Sequence, residues 1–398
     1  MADSLVVTGM GIISGLGTGK DKTLQALFAE KSAVGPIKHL QTTHTDIPVS
    51  EVEMTDEEMK TALHIPQSQL VTRTPLMAMI ATKEAIQQAH LQENKPKRIA
   101  FVNGTTVGGM EKSEQFYHDF LENENHKEFI AAHDCGAGTD AVADYFGIFD
   151  MTTTISTACS SAINALIIGA NLIRTGKVDA AVVGGTECLS KFHLNGFNTL
   201  MILDRETCKP FSKNHVGLNL GEGAAYLVLE KAEAAQLRGV QPLCELNGYA
   251  NFCDAFHQTA TSPNGQGPFL AMQGALADSN LQPSDIDYIS CHGTGTGNND
   301  TTEGIAITRV FGEHIPDFSS TKAFTGHTTS AAGSVEAVIS ILALQNNFVP
   351  ANLNFTEKMD EVDIVPVTKT KHKEIQHVMN NSFGFGGNDS SCIFSKIK

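Results

Sequence analysis

Cys159 lies in the run Ile155-Ser156-Thr157-Ala158-Cys159-Ser160-Ser161-Ala162, where an apolar segment passes through small residues into a helical pattern. A thiol at a helix start meets the positive end of the helix dipole and unpaired amide groups. Both favour thiolate, and the small neighbours leave a substrate room to reach sulfur. The bland alternative is a small core residue, which describes most cysteines. A nucleophilic cysteine needs partners, and the second half of the chain offers two histidines in glycine- and threonine-rich stretches. These are Cys291-His292-Gly293-Thr294-Gly295-Thr296 and Thr321-Lys322-Ala323-Phe324-Thr325-Gly326-His327. Both follow strand-like segments, where α/β folds gather chemistry, while a lone loop histidine is otherwise a solvated or hydrogen-bonded structural residue. A last cluster, Asn381-Ser382-Phe383-Gly384-Phe385-Gly386-Gly387, sets two phenylalanines among glycines. Glycines let backbone amides approach a ligand and act as donors; the competing reading is a flexible hairpin with core aromatics.

Such residues need elements to hold them. Strand-like runs fall at 5–8, 99–103, 152–156, 180–184, 224–230, 242–250, 288–291 and 378–382. Helical patterns run from 74 to 92, with Thr74 as cap and Pro75 in the first turn, and over 160–175 and 330–345. This alternation predicts an α/β architecture with helices covering largely buried sheets. The polar segment 231–241 is the natural seam. Near the N-terminus, Gly9-Met10-Gly11-Ile12-Ile13-Ser14-Gly15 imitates a dinucleotide-binding turn. Its spacing is off by one residue, and the region that should end a second strand with an acidic residue reads as helix, 21–30. A tight packed turn is the expectation.

Composition narrows the classes. At 398 residues, 41% hydrophobic and 18% charged, the chain is too apolar for disorder and too evenly mixed for a membrane protein. Its balance of 28 − 44 = −16 disfavours nucleic acid and anionic membrane as partners, because binding phosphates takes a basic stripe. The longest apolar stretches, 162–173 and 335–344, fall short of the roughly 20 residues that span a bilayer. The eight cysteines (135, 159, 188, 208, 244, 253, 291 and 392) show no C-x-x-C and no zinc spacing, so no metal is expected and a reducing cytoplasm is the simplest setting. Met1-Ala2-Asp3-Ser4 lacks the positive start of a signal peptide.

Taken together the motifs resemble the β-ketoacyl-[acyl-carrier-protein] synthases, the elongating condensing enzymes of fatty acid and polyketide synthesis. The resemblance covers essentially the whole chain. It is carried by Val6-Val7-Thr8-Gly9-Met10-Gly11, Thr157 to Ser161, Gly184-Gly185-Thr186-Glu187, Leu220 to Ala224, His292 to Thr296 with Asp300, Thr321-Lys322 with Gly326-His327, and Asn381 to Gly387. It implies a duplicated thiolase-like fold, a five-layer αβαβα sandwich, with one half over 1–236 carrying the nucleophile and one over 237–398 carrying the histidines and the glycine-rich gate. It also implies a dimer through the strand next to the nucleophile, as a homodimer or a heterodimer with a chain-length factor.

The resemblance further implies residue roles. Cys159 accepts an acyl chain from a carrier-protein thioester. His292 and His327 stabilise the enolate formed as malonyl loses carbon dioxide, and the amides of Cys159 and Phe385 hold the oxyanion. Lys322, paired with Glu336, tunes the histidines, and Asp300 is a further supporting residue. Thr294 and Thr296 bind the phosphopantetheine arm, Phe385 gates the acyl pocket with Phe383 supporting it, and Val107 lines that pocket. No cofactor is implied beyond the arm of acyl carrier protein.

The sequence departs from the family at Gly297-Asn298-Asn299, at Ser212 to His215 and at Gly386-Gly387-Asn388-Asp389. The stretch before residue 74, Pro66 to Arg73, lacks the basic cluster often used for an acidic carrier protein, leaving Arg73, Arg205 and Lys209 as candidate contacts. The departures, with Ser190 to Phe192 and Asn195 to Leu200, resemble synthases of bacterial polyene-pigment clusters more than housekeeping fatty acid enzymes. The rival readings are a non-catalytic chain-length partner, which shares the fold but lacks the nucleophile, and an oxidoreductase, which rests on the first glycine cluster alone.

Overall fold

The computed structural model describes residues 4–123 and 125–397. Ten strands carry its architecture. The first half holds β1 (Leu5–Ser14), β2 (Ile99–Gly104), β3 (Met151–Ile155), β4 (Ala180–Glu187) and β5 (Gly223–Lys231). The second holds β6 (Cys244–Cys253), β7 (Tyr288–Ser290), β8 (Asp317–Ser319), β9 (His377–Gly384) and β10 (Asn388–Ser395). The strands of the first half lie side by side as β3-β2-β4-β5-β1, those of the second as β8-β7-β9-β10-β6. In each half the last strand in sequence runs antiparallel to both neighbours, while the ladders joining the second strand to the third and fourth are parallel. One arrangement therefore occurs twice, a duplication that no sequence repeat betrays. β1 and β6 join the halves through three antiparallel pairs, Leu5–Leu246, Val6–Glu245 and Val7–Cys244.

Seven helices matter for the site: α1 (Arg73–Gln88), α2 (Cys135–Phe146), α3 (Ser161–Arg174), α4 (Lys191–Thr199), α5 (Gln266–Ser279), α6 (Gly297–Phe311) and α7 (Ala332–Asn346). α3 and α7 pack against each other and against strands of both halves. α1 covers the outer face of the first half with α2 against it, and α5 covers that of the second with α6 against it. The result is five layers. Ile163, Leu166, Val183, Leu227, Val338, Ile341, Val378 and Phe394 fill the middle of the molecule. Leu76, Met77, Phe101 and Val228 form the outer core of the first half, and Met272, Leu276, Ile289 and Met379 that of the second. Each such side chain contributes about 1.5–3 kcal/mol. Every residue of α7 from Ala332 to Leu344 is buried, which is why its sequence is apolar all round with only small polar interruptions and Glu336.

Two local expectations are revised. The first glycine cluster is no turn, because β1 runs through it to Ser14. A Cβ on Gly11 would stand 2.0 Å from the Ala81 carbonyl oxygen and one on Gly9 2.2 Å from that of Ala85, so these glycines let α1 lie directly on the strand. α1 itself starts two residues early, at Arg73 with Thr72 and not Thr74 in the cap position, and Thr72 makes no capping hydrogen bond. The Arg73 amide instead donates to the Glu111 carboxylate at 2.9 Å, a long-range cap that local sequence could not announce.

Candidate active site

β3 ends at Ile155 and α3 begins at Ser161, so the chain reverses within residues 156–160. Ala158 takes a left-handed backbone, φ +51°, a strained conformation for a residue with a side chain. Ser161 Oγ bonds the Thr157 amide at 2.9 Å and the Ala158 carbonyl at 2.6 Å, and Ser382 Oγ on β9 donates to the Cys159 carbonyl at 2.9 Å. These bonds clamp the turn in a shape that presents Cys159 to a cavity of about 290 Å³, although the residue is only 5% exposed.

The second half closes on that turn. His292 follows β7, and its loop is held because its own amide and that of Gly293 donate to the buried Glu303 carboxylate on α6, at 2.9 and 2.8 Å. His327 lies between β8 and α7, with Nε2 3.1 Å from Cys159 Sγ. The two imidazoles meet edge to face, centroids 5.3 Å apart. Lys322 is buried against Glu336, bonds the His292 carbonyl at 2.5 Å and lies 3.3 Å from His292 Nδ1. A lysine ammonium can only donate, so Nδ1 of His292 accepts and its proton sits on Nε2. Nδ1 of His327 is buried without a hydrogen-bond partner among the described residues, which leaves Nε2 as its working nitrogen. The sulfur and one nitrogen of each imidazole all lie within 4.8 Å of one another. That spacing would also suit a soft divalent cation, which the neighbouring Lys322 charge opposes.

Burial and Lys322 together push both histidines well below their ordinary pKa, so both are neutral at physiological pH. Burial pushes the Cys159 thiol up to about 11, against the opposing pull of Lys322 and of the Phe385 and Cys159 amides. The thiolate preference expected from a helix start is thus overridden: α3 begins two residues beyond Cys159, and loss of solvent outweighs it. Sulfur must pass its proton to a base as it attacks, and His327 Nε2 is at hydrogen-bond distance. Burial also raises Glu336, to about 7, despite Lys322 beside it.

The glycine-rich segment after β9 lies against the nucleophile turn. A Cβ on Gly384 would stand 2.8 Å from the Thr157 carbonyl oxygen and 3.0 Å from Ser160 Oγ. Phe385 lines the cavity and stacks on Phe197 of α4 with centroids 5.8 Å apart, while Phe383 packs beside His292. Thr294 and Thr296 line the same cavity, their hydroxyls 2.8 Å apart. Asp300 lies behind them and accepts from the Gly295 and Phe211 amides without touching Cys159 or either histidine through a hydrogen bond. Val107 is buried after β2, where its amide faces Glu187 at 3.4 Å, and it is not among the residues lining the cavity.

Sequence reasoning quoted Glu187 within the Gly184 to Glu187 motif without giving it a role, and passed over Glu303. Glu187 ties the two halves: it accepts from Thr105, from the Thr106 amide and hydroxyl, and from Ser330 Oγ at 2.7 Å. Glu303 had a legible signal, since it stands one helical turn after Asp300. Arg73 is excluded as a surface contact: its guanidinium is 13% exposed and spent on Glu222 and Asp56.

A buried cysteine on a strained strand-to-helix turn, two neutral histidines and paired backbone donors in a duplicated α/β frame define a thiolase-like condensing enzyme. Residues 2–235 match the beta-ketoacyl synthase N-terminal domain and residues 243–356 the beta-ketoacyl synthase C-terminal domain, so the chain belongs to the beta-ketoacyl synthase family. It is 32% identical to nodulation protein E of Rhizobium meliloti, with 99% of both chains covered. It is 30% identical to 3-oxoacyl-[acyl-carrier-protein] synthase 2 of Staphylococcus aureus strain COL, covering 99% of this chain and 98% of that one. A solved structure, the ishigamide ketosynthase/chain length factor, superposes with a TM-score of 0.93 at 30% identity over the full length of both chains. Neither the oxidoreductase reading nor the non-catalytic one gains support from these relatives.

Proposed function

We propose that this condensing enzyme joins an acyl group held on Cys159 to the two-carbon unit of a malonyl thioester, both delivered by acyl carrier protein, to give a 3-oxoacyl thioester, carbon dioxide and free carrier protein. The observation that carries the assignment is the 3.1 Å approach of His327 Nε2 to Cys159 Sγ, with His292 in edge contact beside it. In the first step the thiol proton passes to His327 Nε2 as sulfur attacks the acyl thioester. The tetrahedral oxyanion is held by the amides of Cys159 and Phe385, both directed at the sulfur. The departing pantetheine thiolate takes the proton back. The malonyl arm then enters between Thr294 and Thr296. The His327 ring returns to its Nε2–H tautomer by proton exchange with solvent, and the Nε2–H groups of His292 and His327 then donate to the malonyl thioester carbonyl, so that the carbon–carbon bond to carboxylate breaks with its electron pair stabilised as an enolate. That carbanion attacks the acyl carbon, and Cys159 leaves as thiolate, which takes up one proton from solvent to restore the thiol.

The assignment supports further readings. The chemistry needs no cofactor beyond the carrier arm. The relative named as a synthase of acyl-carrier-protein substrates supports acyl carrier protein as partner, and the structural neighbour containing a chain length factor supports pairing with such a subunit as an alternative to a homodimer. β3 forms the sheet edge and exposes Met151, which suits the dimer contact. The absence of any helix long and apolar enough to cross a membrane, among the described residues, and eight free cysteines support a cytoplasmic setting. A polyene-type product remains part of the proposal at the level of pathway.

The test is Cys159→Gln. Condensation should fall to background while malonyl decarboxylation persists, because both histidines remain. Undiminished 3-oxoacyl product by mass spectrometry would defeat the assignment. His292→Ala and His327→Ala should instead cut carbon dioxide release by at least about a hundredfold.

A further inference from the structure

The rim of the catalytic cavity is apolar. Leu200, Met201 and Val216 line its entrance and are 44%, 87% and 65% exposed. Phe256, 55% exposed, belongs to the loop whose Thr259, Ala260 and Thr261 line the same cavity. Large apolar side chains gathered at one opening mark a contact surface rather than the scattered exposure every protein shows. The cations of the rim segment 201–216 are Arg205, Lys209 and Lys213. Each already has a carboxylate from its own chain: Arg205 pairs with Asp46, Lys209 with Glu206 at 2.6 Å, and Lys213 with Asp360 at 3.0 Å. An acidic visitor would have to displace those partners to gain anything from the cations.

On the reading that substrates arrive on a carrier protein, we propose that the carrier docks on Leu200, Met201, Val216 and Phe256 through apolar contact, with little electrostatic attraction. The place of the patch identifies its occupant. A resident subunit seated there would seal the passage to Cys159, so whatever covers it must come and go and must insert its own arm. The net charge of −16 agrees, since an acidic carrier is steered toward this chain by no overall field.

The experiment measures Kd for a malonyl-loaded acyl carrier protein from the same organism, by fluorescence anisotropy, at about 50 and about 500 mM salt, where screening of exposed charges differs strongly. Turnover of a carrier-free malonyl-pantetheine thioester is followed in parallel. The expected Kd changes less than about twofold with salt. Met201→Glu and Val216→Glu raise it about tenfold, and Arg205→Gln leaves it within about twofold. Met201→Leu retains wild-type affinity, showing that an apolar surface rather than a particular side chain is needed. Affinity that collapses with salt, or that falls as far in Arg205→Gln as in Met201→Glu, overturns the proposal. Turnover of the free thioester reports separately on the condensing reaction, so failure of docking and failure of the chemistry cannot be confused.

Discussion

Lys322 decides which nitrogen of His292 bears the proton, and so whether that imidazole can donate to a substrate carbonyl. Lys322→Met should lower malonyl decarboxylation about a hundredfold. It should also destabilise the fold by about 3–5 kcal/mol, because Glu336 is left buried without its partner. Lys322→Met combined with Glu336→Gln should recover most of the stability and none of the activity. Recovery of both would make the lysine structural only. Asp389 is another residue whose charge is poorly served. It is wholly buried, neither carboxylate oxygen has a hydrogen-bond partner among the described residues, and burial with Asp254 and Glu303 nearby raises its pKa to about 8. The unfolded carboxyl ionises near 3.8, so between that value and 8 the unfolded chain sheds a proton that the native state keeps. Stability therefore falls as pH rises across that window. Asp389→Asn should raise the unfolding free energy measured by urea titration, by roughly 1–3 kcal/mol at pH 8 and by less at pH 5. The types and spacing of Cys159, His292, His327 and Lys322 were legible in sequence. The state of the sulfur was not, because a helix start is a local feature while desolvation depends on the loops that close over it.

Among the elements, the contact of β1 with α1 is one of the tightest fits. Gly11→Ala would force a methyl group against the Ala81 carbonyl and should cost about 1–3 kcal/mol, measured as a lower melting temperature, with no change in the spacing of Cys159 and His327. A neutral outcome would mean that α1 can slide. The strand-like runs read from sequence fall on eight of the ten architectural strands, with ends that differ by several residues. β8 and β10 escaped. β8 is only Asp317–Ser319, and β10 is buried yet reads Asn-Asp-Ser-Ser-Cys-Ile-Phe-Ser. Such polar residues are tolerated inside because distant partners satisfy them: Ser390 meets Asn164, Ser391 meets Asn381, and Asn388 meets Ser160. A pattern search for apolar strands is blind to burial arranged by long-range hydrogen bonds.

At the scale of the whole molecule, α3 and α7 pack on each other, touch strands of both halves and share one core with β4, β5, β9 and β10. The halves should therefore unfold together. Calorimetry is expected to show one transition, with equal calorimetric and van't Hoff enthalpies for the protomer, and two resolved transitions would refute the shared core. Fold class was readable from the alternation of elements, and the five layers from family resemblance. The duplication too came from the resemblance and not from any repeat of residues; it shows directly in the strand order of the two halves.

That doubling has a consequence for where catalysis resides. The third strand of each half feeds a central helix, β3 into α3 and β8 into α7. The first connection is the short turn 156–160, just long enough to expose a thiol. Its counterpart occupies 320–331 and carries both Lys322 and His327. The two copies of one bend thus hold complementary parts, the short one the reactive sulfur and the long one the base and the charge. Neither half could perform the reaction by being more like its twin.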